Sequence, residues 1–197
     1  MDFKNSETIV NLGRAFAGEC QARTRYRFYA SLAKKEGQFY LAKLIHEIAD
    51  NEYAHAKIFF RHINNLSDQR VENMNIDAGY PYTIGETVMN LKDAASAEQD
   101  EYSEIYPKFA QIADDEGFKE VANSFRLIGK IEESHHKSFT LLAEKYADGS
   151  LYREPNSVIW RCSVCGYIHQ GEKAPDICPV CQHPQGHYEL QVNLKQI

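Results

Sequence analysis

Glu52-Tyr53-Ala54-His55 and Glu132-Glu133-Ser134-His135 are two copies of one pattern, 80 positions apart, in which a histidine follows a glutamate by three residues. On a helix that spacing puts both side chains on one face, where both reach a single point. One such pair alone is an ordinary pair of surface charges. Its surroundings make it more: Glu36-Gly37 falls on Glu116-Gly117 at the same offset. Upstream, Glu19 falls on Glu98, and Tyr26 falls on Tyr106 after a one-residue insertion. Glu133 with His136 offers a competing pair, but only Glu132 with His135 keeps the offset of 80.

The repeat is therefore a helix pair, used twice, with a lone glutamate on its first helix and Glu-x-x-His on its second. Small residues precede the lone glutamates, Ala17-Gly18 before Glu19 and Ala94, Ala95 and Ala97 before Glu98. A surface gains nothing from them, whereas a close-packed interior does. Facing inward, Glu19, Glu52, Glu98 and Glu132, with Glu101 counted, converge as five carboxylates around His55 and His135. Unpaired buried charge is prohibitively costly, so the cluster requires two multivalent cations. One glutamate from each of two helices and Glu-x-x-His from the other two are the ligands of a di-iron or di-manganese carboxylate bundle.

Glu101 has Ala22 as its counterpart, so it is the one candidate ligand that breaks the two-fold pattern. A spare ligand on one metal only is what a redox-linked ligand exchange requires. Tyr26 and Tyr106 each lie two helical turns past a ligand glutamate. Each either hydrogen bonds to that glutamate as outer support or packs as a core aromatic. Cys20 points to a different face from Glu19 and is expected as a packed thiol.

Periodicity and punctuation predict the helices. Ser6 is an N-cap, and Ile9, Leu12, Ala15, Phe16 and Cys20 recur at helical spacing toward Lys35. A second helix runs from Phe39 to about Asn64, and residues 65–82 form a long connection rich in turn formers. Thr83-x-x-Glu86 reads as a capping box opening a third helix to about Asp114, with a kink or bulge at Pro107. A fourth helix follows Gly117 and runs to Tyr146.

A different composition begins after Asp148-Gly149-Ser150. Cys162-Ser163-Val164-Cys165 and Cys178-Pro179-Val180-Cys181 form a tetrathiolate knuckle with twelve residues between the pairs. Spacing alone fits structural zinc or redox iron equally. Gly166 lets amide N–H groups turn toward sulfur, and Tyr167 with Trp160 shields the site, which favours iron. The expected organisation is a bundle over 1–147, a linker over 148–157 and a knuckle domain over 158–197. A net charge of −6 argues against a nucleic-acid footprint. No apolar run reaches the ~20 residues of a membrane span, and no secretion signal opens the chain, so a cytoplasmic location is expected. Four of the five cysteines lie in the knuckle, which leaves no role for disulfides.

The knuckle resembles rubredoxin in a short form, and the whole chain resembles the rubrerythrins, on Ala17-Gly18-Glu19, Glu52-x-x-His55, Glu98-x-x-Glu101, Glu132-x-x-His135 and the four cysteines in order. The resemblance implies an all-α ferritin-like four-helix bundle followed by a small rubredoxin-like metal-knuckle β domain. It implies two iron ions in the bundle and one on Cys162, Cys165, Cys178 and Cys181. Glu52 and Glu132 would bridge the pair, with Glu19 and Glu98 as terminal carboxylates and His135 on the second iron. The first iron would take His55 when reduced and Glu101 when oxidised. The implied activity is reduction of hydrogen peroxide to water in oxidative stress defence. Electrons would come from an NAD(P)H-dependent reductase or a rubredoxin-like carrier, since this chain has no GxGxxG of its own. A homodimer is implied, and the 65–82 connection would let helix pairs exchange between subunits. Two other readings use the same residues: a ferritin-like ferroxidase or iron store, and a non-catalytic zinc-knuckle interaction protein.

Overall fold

The computed structural model of the chain describes residues 2–191; Met1 and residues 192–197, the end of the expected 158–197 domain, lie outside the described residues. A short 3-10 turn over Phe3–Asn5 leads into α1 (Glu7–Lys35), which pairs with α2 (Phe39–Leu66). After the long connection, α3 (Thr87–Asp100), a π-helical turn (Glu101–Ile105) and α4 (Tyr106–Asp115) make one interrupted helix, which packs on α5 (Lys119–Ala147). These are the four helices of a ferritin-like bundle. Among the described residues no helix is long and apolar enough to cross a membrane.

Local chemistry sets the helix ends. The Ser6 hydroxyl accepts from the Ile9 amide at 3.2 Å, as its N-cap reading requires. A second cap comes from far away in sequence: the Glu116 carboxylate accepts from the Glu7 and Thr8 amides at 2.9 and 2.8 Å. Gly37 and Gly117 close α1 and α4 with φ of +82° and +92°, a left-handed conformation that only glycine adopts without strain. The Thr83–Glu86 capping box does not form. Glu86 makes no side-chain cap and the helix opens at Thr87. The Thr83 carbonyl accepts from the Tyr29 hydroxyl at 2.8 Å, and at the helix start Asn90 Oδ1 accepts from the Gly85 amide at 2.8 Å.

The expected irregularity near Pro107 is the π-helical turn just before it. Residues 101–105 absorb the one residue by which the second repeat exceeds the first between Glu98 and Tyr106. Pro107 itself sits in the first turn of α4, where the lost amide costs least.

The apolar core is split at one level in all four helices. One cluster holds Tyr29, Ile45, Leu91 and Phe139, and the other holds Leu12, Phe59, Ala110 and Phe125. Between them, in each helix, lie the residues of the repeat.

Beyond the bundle, β1 (Arg153–Cys162), β2 (Ile168–Lys173) and β3 (Tyr188–Leu190) form an antiparallel sheet in the order β2-β1-β3. Leu151 and Tyr152 are buried and Arg153 already pairs with Lys173, so the second half of the expected 148–157 linker belongs to the packed structure. This sheet domain rests on the α1–α2 turn. The Tyr152 hydroxyl donates to Gln38 at 2.9 Å, and the His187 ring stacks on Phe39 with centroids 3.8 Å apart. A Cβ on Gly186 would stand 1.8 Å from the Gly37 carbonyl oxygen, so this seat admits only glycine.

Candidate metal centres

Two groups of side chains meet in the polar layer that divides the core. Glu19, Glu52, His55 and Glu132 bring one ligand atom each within 4.8 Å of one another, and so do Glu52, Glu98, Glu132 and His135. All of these residues are buried. Glu52 and Glu132 belong to both groups and face both ways. Glu52 sets one oxygen 3.0 Å from His55 Nδ1 and the other 3.1 Å from His135 Nδ1. Glu132 does the same at 2.9 and 2.6 Å. Glu19 flanks His55 at 3.7 Å, and Glu98 flanks His135 at 3.9 Å.

The electrostatics are those of a cation site. Burial pushes Glu19, Glu98 and Glu101 well above the ordinary carboxylate range. Glu52 is held down to about 2: burial opposes this, but hydrogen bonds to His135 and His55 prevail. His55 is pushed up to about 12 and His135 to about 9, burial being outweighed by the carboxylates around them. Glu19 Oε2 and Glu98 Oε2 are buried and accept no hydrogen bond from the protein, while the buried Glu52 Oε1 and Glu132 Oε1 have only a histidine Nδ1 beside them. Each such atom costs about 1–3 kcal/mol, more when charged. Four buried carboxylate oxygens, two of them orphaned, beside two imidazole nitrogens are the donor set that two divalent metal ions satisfy, so the residues fit the metals the repeat implies.

The tyrosines hydrogen bond to ligand glutamates, but across the bundle. The Tyr26 hydroxyl donates to Glu98 and the Tyr106 hydroxyl to Glu19, each on the facing helix, where the sequence reading paired each with the glutamate of its own helix. Seven residues of helix span about 10 Å, too far for a side chain to return to its own glutamate. Another supporting group carries no sequence signal: Asn51 Oδ1 lies 3.2 Å from His135 Nε2, and fixes the ring with Nδ1 toward the carboxylates. Its counterpart at the repeat offset is the apolar Ile131, and among the described residues His55 has no such partner.

Glu101 stands beside these groups, not within them. It is half-buried on the π-helical turn, in a cleft of about 710 Å³ lined also by Gly18, Arg25 and Tyr80. Glu133 and His136 face elsewhere, Glu133 to Lys137 at 2.5 Å and His136 to the Ala95 carbonyl at 2.8 Å, which removes the competing pair. Cys20 is exposed, not packed. Its neighbour Glu19 takes the inward face, and the next position on the helix turns out to solvent.

In the sheet domain, Cys162 Sγ lies 3.7 Å from Cys181 Sγ, and Cys165 Sγ lies 3.6 Å from Cys178 Sγ. A tetrahedral metal with bonds of about 2.3 Å has sulfur–sulfur edges of roughly 3.8 Å, so the four thiols fit one ion. Amide hydrogen bonds reach the sulfurs, from Tyr167 to Cys165 and from His183 to Cys181. Cys178 is pushed down to about 6: burial opposes this, but the Cys181 and Val180 amides outweigh it. Trp160 and Tyr188 are fully buried against the site, while Cys165 is exposed.

Fold and sites together define a ferritin-like bundle with a carboxylate–histidine dimetal layer, joined to a tetrathiolate knuckle. The family model described as rubrerythrin matches residues 10–143, and the one described as the rubrerythrin rubredoxin-like domain matches residues 160–189. A rubrerythrin of Clostridium perfringens is 44% identical over 95% of this chain and 95% of its own, and one of Porphyromonas gingivalis is 42% identical over 94% and 90%. Among solved structures, mixed-valence nigerythrin superposes with a TM-score of 0.63 at 23% identity, over 93% of this chain and 86% of its own. A Desulfovibrio desulfuricans bacterioferritin does so with 0.58 at 21%, over 74% and 82%. The chain belongs to the rubrerythrin family. Its cofactors are those of that architecture, a di-iron site in the bundle and an iron ion on the four cysteines.

Proposed function

We propose that the protein is a non-haem di-iron peroxidase that reduces hydrogen peroxide to water in oxidative stress defence. The observation that carries this reading is the pair of carboxylate–histidine groups sharing Glu52 and Glu132, in one chain with a tetrathiolate centre. Bound iron supplies the two electrons that O–O cleavage consumes, H2O2 + 2 e⁻ + 2 H⁺ giving two waters, and the knuckle restores them singly from an external donor. That donor is an NAD(P)H-dependent reductase or a rubredoxin-like carrier.

The residues divide the work. Glu52 and Glu132 would bridge the two metals, Glu19 and Glu98 would terminate them, and His135 would hold the second. Glu101 and His55 would serve the first metal in its oxidised and reduced states. Tyr26 and Tyr106 hold the terminal carboxylates in place by donating to their Oε1 atoms, which leaves Oε2 free for metal. Glu101 lines the cleft beside the dimetal groups, where its carboxyl is placed to carry a proton from the cleft to the oxygen that leaves as water.

The knuckle sits at one end of the bundle, away from its own dimetal layer midway along it. Phe39, on which His187 stacks, lies thirteen residues from Glu52 along α2, roughly 20 Å at the helical rise. That span favours relay into the bundle of a second subunit in a homodimer. The test is metal analysis with an anaerobic peroxide assay on iron-loaded protein. Three irons per chain and stoichiometric consumption of peroxide by the reduced protein are expected. Growth of a mineral core without peroxide turnover would establish the storage reading instead.

A further inference from the structure

The 65–82 connection has a second half that lies along α1 and is fastened there. Arg14 Nε donates to the Asp77 carbonyl at 3.0 Å, the Tyr80 hydroxyl to the Arg14 carbonyl at 2.7 Å, Gln21 to the Pro81 carbonyl, and the Tyr29 hydroxyl to the Thr83 carbonyl at 2.8 Å. Two glycines of α1 open the track. A Cβ on Gly13 would stand 2.3 Å from the end of Met74, and one on Gly18 would stand 3.4 Å from the Tyr80 ring. The same Gly18 position is 4.0 Å from Glu101 Oε1. The Tyr80 ring and the Glu101 carboxylate therefore meet over one glycine, next to the ligand Glu19.

The cleft they share measures about 710 Å³. That volume takes a ligand of many heavy atoms, so the cleft as a whole does not restrict the oxidant to a molecule of two oxygens. Among the residues that line it, Tyr80 and Glu101 approach the same point of α1 at Gly18. We propose that Tyr80 is a specificity-determining residue: its ring, laid across Gly18, sets the largest molecule that reaches the Glu101 edge of the dimetal site. The substrate half of this proposal rests on the peroxidase reading, whereas the access half does not.

The test uses full-length iron-loaded protein and two measurements. One is the ratio of kcat/KM for cumene hydroperoxide to that for hydrogen peroxide. The other is the rate at which 2,2′-bipyridine strips iron from the reduced protein, compared between variants so that the knuckle contributes equally to each. Tyr80→Ala is expected to raise the ratio about ten-fold or more, the scale on which pocket size discriminates, and to speed stripping in step. Tyr80→Phe keeps the ring and should match wild type in both, and Tyr80→Leu replaces the alanine variant if that one misfolds. A truncated variant with native circular dichroism but unchanged ratio and stripping rate overturns the proposal, as does a phenylalanine variant that behaves like the alanine one. If wild type itself reduces no peroxide, the peroxidase reading falls, and the stripping rates alone decide whether Tyr80 controls access.

Discussion

At the scale of single residues, the dimetal layer is nearly symmetric, and its exceptions are informative. Asn51 supports His135 alone, because the equivalent place beside His55 is the apolar Ile131. Loss of such an outer partner typically weakens metal affinity by about 10–100-fold. Asn51→Ala should therefore weaken one of the two bundle metals by about that factor and spare the other, a split that competition titration with a chelator will resolve. Equal weakening of both would rule out the one-sided role. Glu101 is the other exception, a carboxylate outside both four-residue groups. Glu101→Ala should retain two bundle irons, since Glu19, Glu52, Glu98, Glu132, His55 and His135 remain, while peroxide turnover falls well below wild type. Metal content measured beside turnover decides the point, and a variant that loses iron in parallel with activity would make Glu101 an ordinary structural ligand.

At the scale of elements, the helices are fastened by groups remote in sequence. Glu116, just past the end of α4, caps the start of α1 through the Glu7 and Thr8 amides and the Thr8 hydroxyl. Burial of Glu116 is slight and works upward, but these hydrogen bonds hold its carboxyl below the ordinary range. A carboxylate whose folded pKa is depressed stabilises the fold above its unfolded pKa of about 4.3, and that contribution disappears as pH falls through the lower folded value. Glu116→Ala should thus cost about 1 kcal/mol at neutral pH, and the gap from wild type should close in acid. Urea melts of both proteins at pH 7 and at a series of lower pH values measure it; a gap that stays constant with pH would mean that charge plays no part in the cap.

At the scale of the whole molecule, the tetrathiolate centre and the dimetal layer lie at different places along the bundle, with the knuckle seated on the α1–α2 turn. Relay between subunits makes a prediction that relay within one chain does not. Cys162→Ser should abolish the visible colour and donor-driven turnover, yet leave a chemically reduced bundle able to react once with peroxide. Glu52→Ala should lose the bundle chemistry and keep the knuckle. Mixed dimers of the two variants should regain turnover that neither homodimer shows. Full activity in a strictly monomeric species, established by analytical ultracentrifugation at assay concentrations, would refute relay between subunits.

The residues themselves determined much of this. The 80-residue offset between the two Glu-x-x-His pairs announced four helices and the inward face of each, and the paired cysteines announced the knuckle, because both signals are local and periodic. The one-residue excess of the second repeat was legible as a number, although its form as a π-helical turn under Glu101 came only with the backbone. Contacts between helices were not legible. The crossing of Tyr26 to Glu98 and Tyr106 to Glu19, the support of His135 by Asn51, the capping of α1 by Glu116 and the laying of Tyr80 over Gly18 all join residues distant in the chain. Sequence periodicity fixes which way a side chain leaves its own helix, whereas what it meets depends on how the helices are packed, and that packing exists only in the folded molecule.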